Sequence, residues 1–272
     1  MHSVKLGEQN PYPATYSASC LEPIPRHLAR ESIDLKGVLP FTGKDIWTAF
    51  EVSWLDPDGK PVVAMATFIF DCDSMNIVES KSFKYYLNSF NQSHFESFEQ
   101  VSHTMQVDLS KACGGSVEVK LCSLDASFDY IEVGRPTGFC VDHLTLSVIE
   151  YSPNATLLNV DMSKQEVDCE MYSHLLKSNC PVTNQPDWAT IWIKYTGNAI
   201  KPESLLSYII SFRQHQGFHE NCVERIFSDI TKVCRPEKLS VYARYTRRGG
   251  LDINPFRTNA NEMAPLWRIA RQ

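Results

Sequence analysis

The residues best suited to covalent chemistry lie in one polar loop, where Cys180 precedes Asp187 at the entry to a predicted strand. Pro181 and Pro186 keep this loop out of a helix. A deprotonated thiol adds readily to an electrophilic carbon, and a nearby carboxyl group can move the protons that the addition needs. We therefore predict that Cys180 and Asp187 form a nucleophile and acid pair. The alternative is that Cys180 is a small, half-buried core residue, as most cysteines are.

His219 and Glu220 stand at the predicted start of a helix. A carboxylate can accept two parallel hydrogen bonds, so Glu220 suits a guanine-like edge that presents two adjacent N–H donors. Two alternatives stay open. The pair can be a solvated helix N-terminus favoured by the helix dipole. A zinc site of Cys180, His219 and Cys222 is the other alternative, although Cys222 falls on the predicted buried face of the helix.

Cationic residues occur at two further positions. Lys81 and Lys84 come near a predicted helix start, where positive charge opposes the helix dipole unless a phosphate-bearing ligand binds there. The segment 246–250, Thr-Arg-Arg-Gly-Gly, follows a predicted strand of the other half, and guanidinium groups match phosphate oxygens well. The lysines could also be ordinary solvated side chains. No Gly-x-Gly-x-x-Gly segment follows a strand, so a Rossmann cofactor site is not predicted.

The second half of the chain repeats the order of the first at a spacing of 121 to 124 residues. The segment Ala66–Phe70 matches Ala189–Ile193, and Asp108–Cys113 matches Asp229–Cys234. The reactive residues are not repeated, because the counterpart of the Cys180 loop is a plain turn near residues 56–60 without a thiol. The pattern indicates one supersecondary unit used twice, with copies that can specialise separately.

In both halves the sequence pattern predicts the order strand, strand, helix, helix, strand, strand. The predicted elements are strands at 47–54 and 61–70 around the turn 56–59, helices from about residue 82 and over 95–109, a strand from 117, a strand at 188–195, helices at 201–216 and 223–233, and a strand at 239–245. The opening strands of the second half must lie within 123–170, without predicted bounds. This order is typical of an α+β fold, with an antiparallel sheet and its helices on one face.

Composition excludes several classes of protein. The net charge is −6 without a basic stripe, so neither nucleic acid nor an anionic membrane is an expected partner. The N-terminus lacks an apolar signal, and no stretch approaches the roughly 18 apolar residues of a membrane helix. Nine cysteines without C-x-x-C spacing argue against a disulfide framework and a structural zinc site. We expect a soluble, cytoplasmic protein with about two domains.

The segment 79–86, Glu-Ser-Lys-Ser-Phe-Lys-Tyr-Tyr, closely resembles a signature of the NADPH-dependent 7-cyano-7-deazaguanine reductases, the nitrile reductases of queuosine biosynthesis. Segments 180–188, 218–220 and 245–255 resemble the same family in its long, two-module form, so the resemblance covers nearly the whole chain. It implies an α+β protein of two tandem tunnelling-fold modules, related to GTP cyclohydrolase I without its metal chemistry. We expect an extended arm at 1–40, a first module at 41–125 carrying the cofactor signature, and a second module at 126–272 carrying the nucleophile and substrate-binding residues.

The resemblance also implies roles for individual residues. Cys180 would form a covalent thioimide with the nitrile carbon, and Asp187 would be the proton donor. The implied substrate contacts are Val78, Glu79, Ser80, His219 and Glu220, and the implied NADPH contacts are Ser80, Lys81, Arg248 and Gly249. Two NADPH would be consumed per turnover, because a nitrile needs two hydride transfers to become an amine, and no metal would be required.

The expected partner is a small-molecule substrate, 7-cyano-7-deazaguanine. A tunnelling fold needs further modules to close its barrel, which favours a homodimer. Two other functions stay open at this point. One is a different tunnelling-fold enzyme acting on a pterin or purine, such as a metal-dependent cyclohydrolase. The other is a binding module that has kept the fold and lost the chemistry.

Overall fold

The computed structural model describes residues 13–125, 133–147, 150–164 and 167–272. Its first half contains short and long strands around three helices within these residues. The elements are β1 (Pro23–Pro25), α1 (Arg26–Glu31), β2 (Thr42–Leu55), β3 (Pro61–Asp71), β4 (Asn76–Val78), α2 (Ser80–Ser89), α3 (Phe98–Cys113) and β5 (Val117–Cys122). The helix α1 lies within the segment that was predicted to be an extended arm, and its arginines are buried.

The second half follows the same order. Its elements are β6 (Phe139–Cys140), β7 (Val160–Asp161), β8 (Val167–Asn179), β9 (Pro186–Gly197), β10 (Ala199–Ile200), α4 (Pro202–Ser211), α5 (His219–Cys234), β11 (Lys238–Tyr245) and β12 (Leu251–Thr258). Short 3₁₀ turns occur at Ala18–Cys20, Val141–His143, Ala155–Leu157 and Phe212–Gln214. Within the part of the chain that the structure describes, no helix is both long and apolar enough to span a bilayer.

A single sheet joins the two halves. Its order is β5-β3-β2-β12-β11-β9-β8-β6, and every pairing is antiparallel except that of β6 with β8. The strands β2 and β12 pair from Ala49 with Leu251 to Thr42 with Thr258, so the boundary between the halves is a continuous ladder of hydrogen bonds. Two short ladders lie outside this sheet, β1 with β4 and β7 with β10.

The long helices α2 to α5 cover one face of this sheet. Alternate residues of a strand point to the same face, and the core residues of β2 and β3 are alternate ones that pack with Phe83 and Tyr86 of α2 and with Met105 of α3. On the other side of the boundary, alternate residues of β9 and β11 pack with Leu206 of α4 and Ile226 of α5. The predicted α+β class, an antiparallel sheet with its helices on one face, is confirmed.

The repeat extends to individual hydrogen bonds. Tyr86 donates its hydroxyl hydrogen to Asp108, and Tyr208 donates to Asp229, both over 2.7 Å. The helices α2 and α4 each have ten residues, and α3 and α5 each have sixteen. The predicted internal duplication is therefore present in the packing and is not a coincidence of composition.

Two predictions about the strands need correction. The last strand of the second half, to which no segment after 239–245 was assigned, is β12 and occupies the centre of the sheet. The first half provides three strands of the main sheet within the described residues, where four had been predicted. The predicted module boundary at 125/126 adjoins residues 126–132, which lie outside the described residues, so the boundary stays a prediction.

Candidate active site

The loop 180–185 between β8 and β9 is a closed turn. The Cys180 amide donates to the Gln185 carbonyl, and the Asn184 amide donates to the Cys180 carbonyl, both over 2.9 Å. Asn184 adopts a left-handed conformation with φ of 57°, which asparagine tolerates better than most residues. These contacts fix the backbone on both sides of Cys180, and its side chain is half-buried.

The surroundings of the Cys180 thiol favour the thiolate. Burial alone would raise its pKa, but hydrogen bonds from the Thr183 hydroxyl, the Thr183 and Val182 amides and the Arg248 guanidinium outweigh burial, so the pKa lies below that of an ordinary cysteine. A lowered pKa is what distinguishes a reactive cysteine from a buried structural one. Cys180 therefore has the electrostatic environment of a nucleophile.

Asp187 lies near the start of β9 and is only 4 % exposed. One carboxylate oxygen is 2.8 Å from the Nη2 atom of Arg248, and the other is 3.3 Å from the Nε2 atom of His219. Arg248 also donates to the side-chain carbonyl of Gln185. These contacts join the Cys180 loop to the β11–β12 loop and hold Asp187 in the cleft that Cys180 also lines.

His219 and Glu220 form the first turn of α5. The ring of His219 stacks on that of Tyr245 in β11, with centroids 3.8 Å apart and planes within 4°. The end of β8 holds the chain before this helix, because the Asn179 amide donates to His215 and the Gly217 amide donates back to Asn179. The start of α5 is thus fixed next to the loop that carries Cys180.

Glu220 is 5 % exposed and its pKa is raised. Burial is the largest cause and the carboxylate of Asp45 acts in the same direction, whereas His219 and Arg26 favour the ionised form. The Nδ1 atom of His219 is buried and makes no hydrogen bond to the described part of the chain. A buried polar atom without a partner is available to a ligand.

The first half of the chain contributes the start of α2. Val78, Ser80 and Lys84 line the same cleft as the Cys180 loop and the start of α5. Glu79 caps α2, because its carboxylate accepts the Ser82 amide over 2.7 Å. The candidate site is therefore composed from both halves of one chain.

The structure brings most of the predicted site residues together. The residues that line the common cleft are Val78, Ser80, Cys180, Asp187, His219, Glu220 and Arg248. Glu79, Lys81 and Gly249 adjoin these residues along the chain without lining the cleft themselves. A larger cavity of about 1310 Å³, between α1 and the C-terminal segment, contains none of the predicted site residues. The individual roles stay predictions.

Sequence reasoning missed several residues of the site. Lys84, which the sequence offers only as one of two lysines near a helix start, lines the cleft. It lies next to Gly249, where an added Cβ would be 3.4 Å from the Lys84 side chain. Burial and the Arg248 charge lower the pKa of Lys84. The stacking of Tyr245 and the Thr183 hydrogen bonds have no sequence signal, since they depend on tertiary contacts.

The zinc alternative finds no support in the described residues. Burial raises the pKa of Cys222 to about 12, so this thiol is a poor metal ligand. No group of three or more metal-binding side chains is found across the described ranges.

Two family models match the chain. Residues 12–121 match the N-terminal domain of the nitrile reductase, 7-cyano-7-deazaguanine reductase, and residues 186–264 match the QueF-like protein family. One match falls in each half of the chain, and together they place it in the class of the nitrile reductases. The chain belongs to the NADPH-dependent 7-cyano-7-deazaguanine reductase family.

Curated relatives match along the full length. A protein of this name from Saccharophagus degradans is 58 % identical over 273 residues, covering 100 % of both chains. Those from Teredinibacter turnerae and Burkholderia ambifaria are 52 % and 53 % identical, each covering 98 % of this chain and 97 % of the relative. A solved structure, the archaeosine synthase QueF-Like in its apo form, is 15 % identical over 34 % of this chain and 91 % of its own, with a TM-score of 0.30.

Proposed function

We propose that this chain reduces the nitrile of 7-cyano-7-deazaguanine to the aminomethyl group with two NADPH, through a thioimide on Cys180, in the biosynthesis of queuosine for tRNA. The observation that carries this proposal is the common cleft of Cys180, Asp187, His219 and Glu220. Full-length relatives named NADPH-dependent 7-cyano-7-deazaguanine reductase support the same reaction.

Glu220 would bind the heterocycle. Its carboxylate can accept the ring N–H and the exocyclic amine of the deazaguanine together. The free Nδ1 atom of His219 offers a further polar contact, and Val78 contributes an apolar side chain to the same cleft. Together these groups would orient the nitrile carbon toward Cys180.

Asp187 would begin as a proton acceptor and continue as a donor. The Arg248 guanidinium lies 2.8 Å from the Asp187 carboxylate. This carboxylate can take the proton of the Cys180 thiol, and the thiolate then forms a bond to the nitrile carbon. Asp187 returns the proton to the nitrile nitrogen, which gives a protonated C=N group attached to sulfur. One carboxyl group thus serves both transfers.

The cleft also fits the reduced dinucleotide by charge. Burial and the positive charge of Arg248 lower the pKa of Lys84, and an anionic phosphate bound beside Lys84 would favour its charged form. Ser80 and the backbone at Gly249, in a left-handed conformation with φ of 57°, adjoin the same cations. NADPH, when bound, supplies a hydride for each of the two reductions.

After the first reduction, Cys180 must leave as a thiolate. The hydrogen bonds from Thr183 and Arg248 that lower the pKa of Cys180 would stabilise this leaving group as well as the nucleophile. Asp187 would supply the protons that the nitrogen takes up on the way to the amine.

We also propose that the chain forms a homodimer, and sedimentation equilibrium would measure the mass of this assembly.

The proposed function is tested by following NADPH absorbance with 7-cyano-7-deazaguanine as the substrate. The expected result is oxidation of two NADPH for each nitrile consumed, with no oxidation when the nitrile is omitted. A chain that binds the nitrile without oxidising NADPH would instead be a binding module, and the proposed function would be wrong.

A further inference from the structure

A network of buried ion pairs lies directly behind the candidate site, where α1, α5, β2 and β12 meet. Asp45 is 2.6 Å from Arg26 and 2.7 Å from Arg257, and Glu224 is 2.7 Å from Arg30 and 2.9 Å from Arg257. All five residues are less than 9 % exposed. Three guanidinium groups against two carboxylates leave one positive charge in excess, and an unbalanced buried charge is costly.

Arg26 is the arginine of this network with a buried, unpaired donor among the described residues. Its Nη2 atom donates to Asp45 and its Nε atom donates to the Ser74 hydroxyl over 3.1 Å. Its Nη1 atom is buried and has no hydrogen-bond partner in the part of the chain that the structure describes. A charged nitrogen in this state requires an acceptor or a counter-charge nearby.

Glu220 is the group whose carboxylate can compensate the excess positive charge of Arg26. It lies one helical turn before Glu224 on α5, and Arg26 and Glu220 line one small cavity of about 20 Å³ between α1 and the start of α5. That volume is enough for a single water molecule with polar partners. The same carboxylate lines the candidate substrate cleft on its other side. Glu220 thus stands between the substrate and Arg26.

The neighbours of Glu220 shift its pKa in opposite directions. Burial and the Asp45 carboxylate of β2 raise its pKa, while His219 on its own helix and Arg26 on α1 lower it. If the positive charge of Arg26 were moved away, the effects of burial and Asp45 would dominate. The pKa of Glu220 would then rise, and Glu220 would stay protonated up to a higher pH. A protonated carboxyl group can no longer accept two N–H donors.

We propose that Arg26 is a positioning residue for Glu220, whose free Nη1 atom keeps that carboxylate ionised and oriented toward the heterocycle. The inference rests on the proposed role of Glu220 as the acceptor of the deazaguanine edge. It assigns a function in substrate binding to the segment before the first long strand, which contains none of the residues predicted from sequence. Arg26 acts only through Glu220 and is not expected to touch the substrate.

The test is calorimetric binding of 7-cyano-7-deazaguanine as a function of pH, in a Cys180→Ala background that cannot form the covalent bond. In Arg26→Lys the single ammonium group is expected to stay beside Asp45, so the cavity next to Glu220 loses both its positive charge and its N–H donor. We expect binding to weaken by up to about tenfold at the acidic end of the pH range and to recover at alkaline pH, because one unit of pKa corresponds to a tenfold change in the ionised fraction. Arg30→Lys is the matched control, since Arg30 belongs to the same network and lines no part of the small cavity.

A second variant leaves Arg26 in place and is expected to shift the pH dependence of binding in the opposite direction. Asp45→Asn removes the negative charge that disfavours ionised Glu220, so the pH at which binding is half lost should move down instead of up. Circular dichroism checks that each variant is folded. The parent is the chain that carries Cys180→Ala alone. If Arg26→Lys and Arg30→Lys bind the nitrile with the same pH dependence as this parent, or lose affinity equally at every pH, the network has only a structural role. Failure of the parent itself to bind the nitrile would contradict the proposed function instead.

Discussion

Glu99 and Glu220 occupy equivalent places in the two halves, each in the first turn of a sixteen-residue helix. Glu99 is exposed, and hydrogen bonds from its own backbone amide and from Ser97 lower its pKa. Glu220 is buried and its pKa is raised, first by burial. The same helix position thus gives an exposed carboxylate bonded to its own backbone in one half and a buried candidate binding group in the other. Burial by neighbouring elements, and not the helix itself, makes the difference.

The loops at the ends of β2 and β8 differ in the same way. Leu55 and Asn179 make matching hydrogen bonds, to residues 93 and 95 in the first half and to residues 215 and 217 in the second. Beyond them, the carboxylate of Asp56 accepts the Asp58 and Lys60 amides and closes a plain turn. In the second half the amides of the turn point instead at the Cys180 thiol. A duplicated framework therefore leaves the short connecting loops free to carry chemistry.

The largest expected effect is that of Asp187→Asn. Proton transfer by a positioned carboxyl group is typically worth about two to four decades of rate, so reduction of the nitrile should slow by roughly that factor, measured as NADPH oxidation. Asp58→Asn, in the corresponding loop of the first half, should leave the rate unchanged. Equal rates for Asp187→Asn and the wild type would assign the proton donor to another group.

Glu220→Gln should weaken binding of 7-cyano-7-deazaguanine by about one to two decades. Glutamine offers one acceptor and turns a donor toward a donor, and an unpaired buried polar group costs about 1 to 3 kcal/mol. Glu99→Gln is the matched control from the first half and should bind normally. The two variants behaving alike in calorimetry would mean that the difference in burial has no functional consequence.

Lys81→Ala should raise the Michaelis constant for NADPH roughly tenfold without affecting covalent bond formation at Cys180. The expectation follows from the loss of one charge-assisted phosphate contact, about 1.5 kcal/mol or somewhat more. Arg248→Ala should show the same change and also slow bond formation, because Arg248 contacts Asp187. Lys111→Ala, on an exposed part of α3, is the control. Normal NADPH kinetics in Lys81→Ala would remove this residue from the cofactor site.

The smallest expected effect is that of Thr183→Val. Loss of the hydroxyl donor raises the pKa of Cys180, so the thiolate fraction at neutral pH falls and bond formation to the nitrile should slow several-fold. The rate should recover as the pH is raised through the new pKa. Thr183→Ser keeps the hydroxyl and should retain the wild-type profile. A pH profile unchanged by Thr183→Val would exclude this hydrogen bond as a determinant of reactivity.

The repeated parts of the fold are predicted well from the sequence. Each half has its own periodicity, and an element predicted in one half is supported by the matching pattern in the other. The helices around Met105 and Ile226 and the hairpin around Gly59 were all predicted correctly. The central strand β12 was not, since Asp252 and Asn254 interrupt its apolar pattern. Both side chains are fully buried in the sheet, and Asn254 donates to Asp252 and to the Ile46 carbonyl.

The sequence predicts that Cys180 and Asp187 share a site, and both line one cleft, but it misses the residues that hold them there. Cys180 and Asp187 are close in sequence, so a loop pattern suffices to pair them. The contacts of Arg248 with Asp187 and of Tyr245 with His219 join separate elements, and no local pattern encodes them. The buried network at Arg26 and Arg257 depends on the meeting of both halves, which is a property of the fold alone.

The central claim is that the second half alone carries the nucleophile of a site shared by both halves. The most direct measurement is intact mass spectrometry of the chain incubated with 7-cyano-7-deazaguanine in the absence of NADPH. One substrate should add per chain, peptide mapping should locate it at Cys180, and Cys180→Ala should abolish it while Cys122→Ala, in the edge strand β5, retains it. The absence of any adduct on the wild-type chain, or an adduct that persists in Cys180→Ala, would contradict the account.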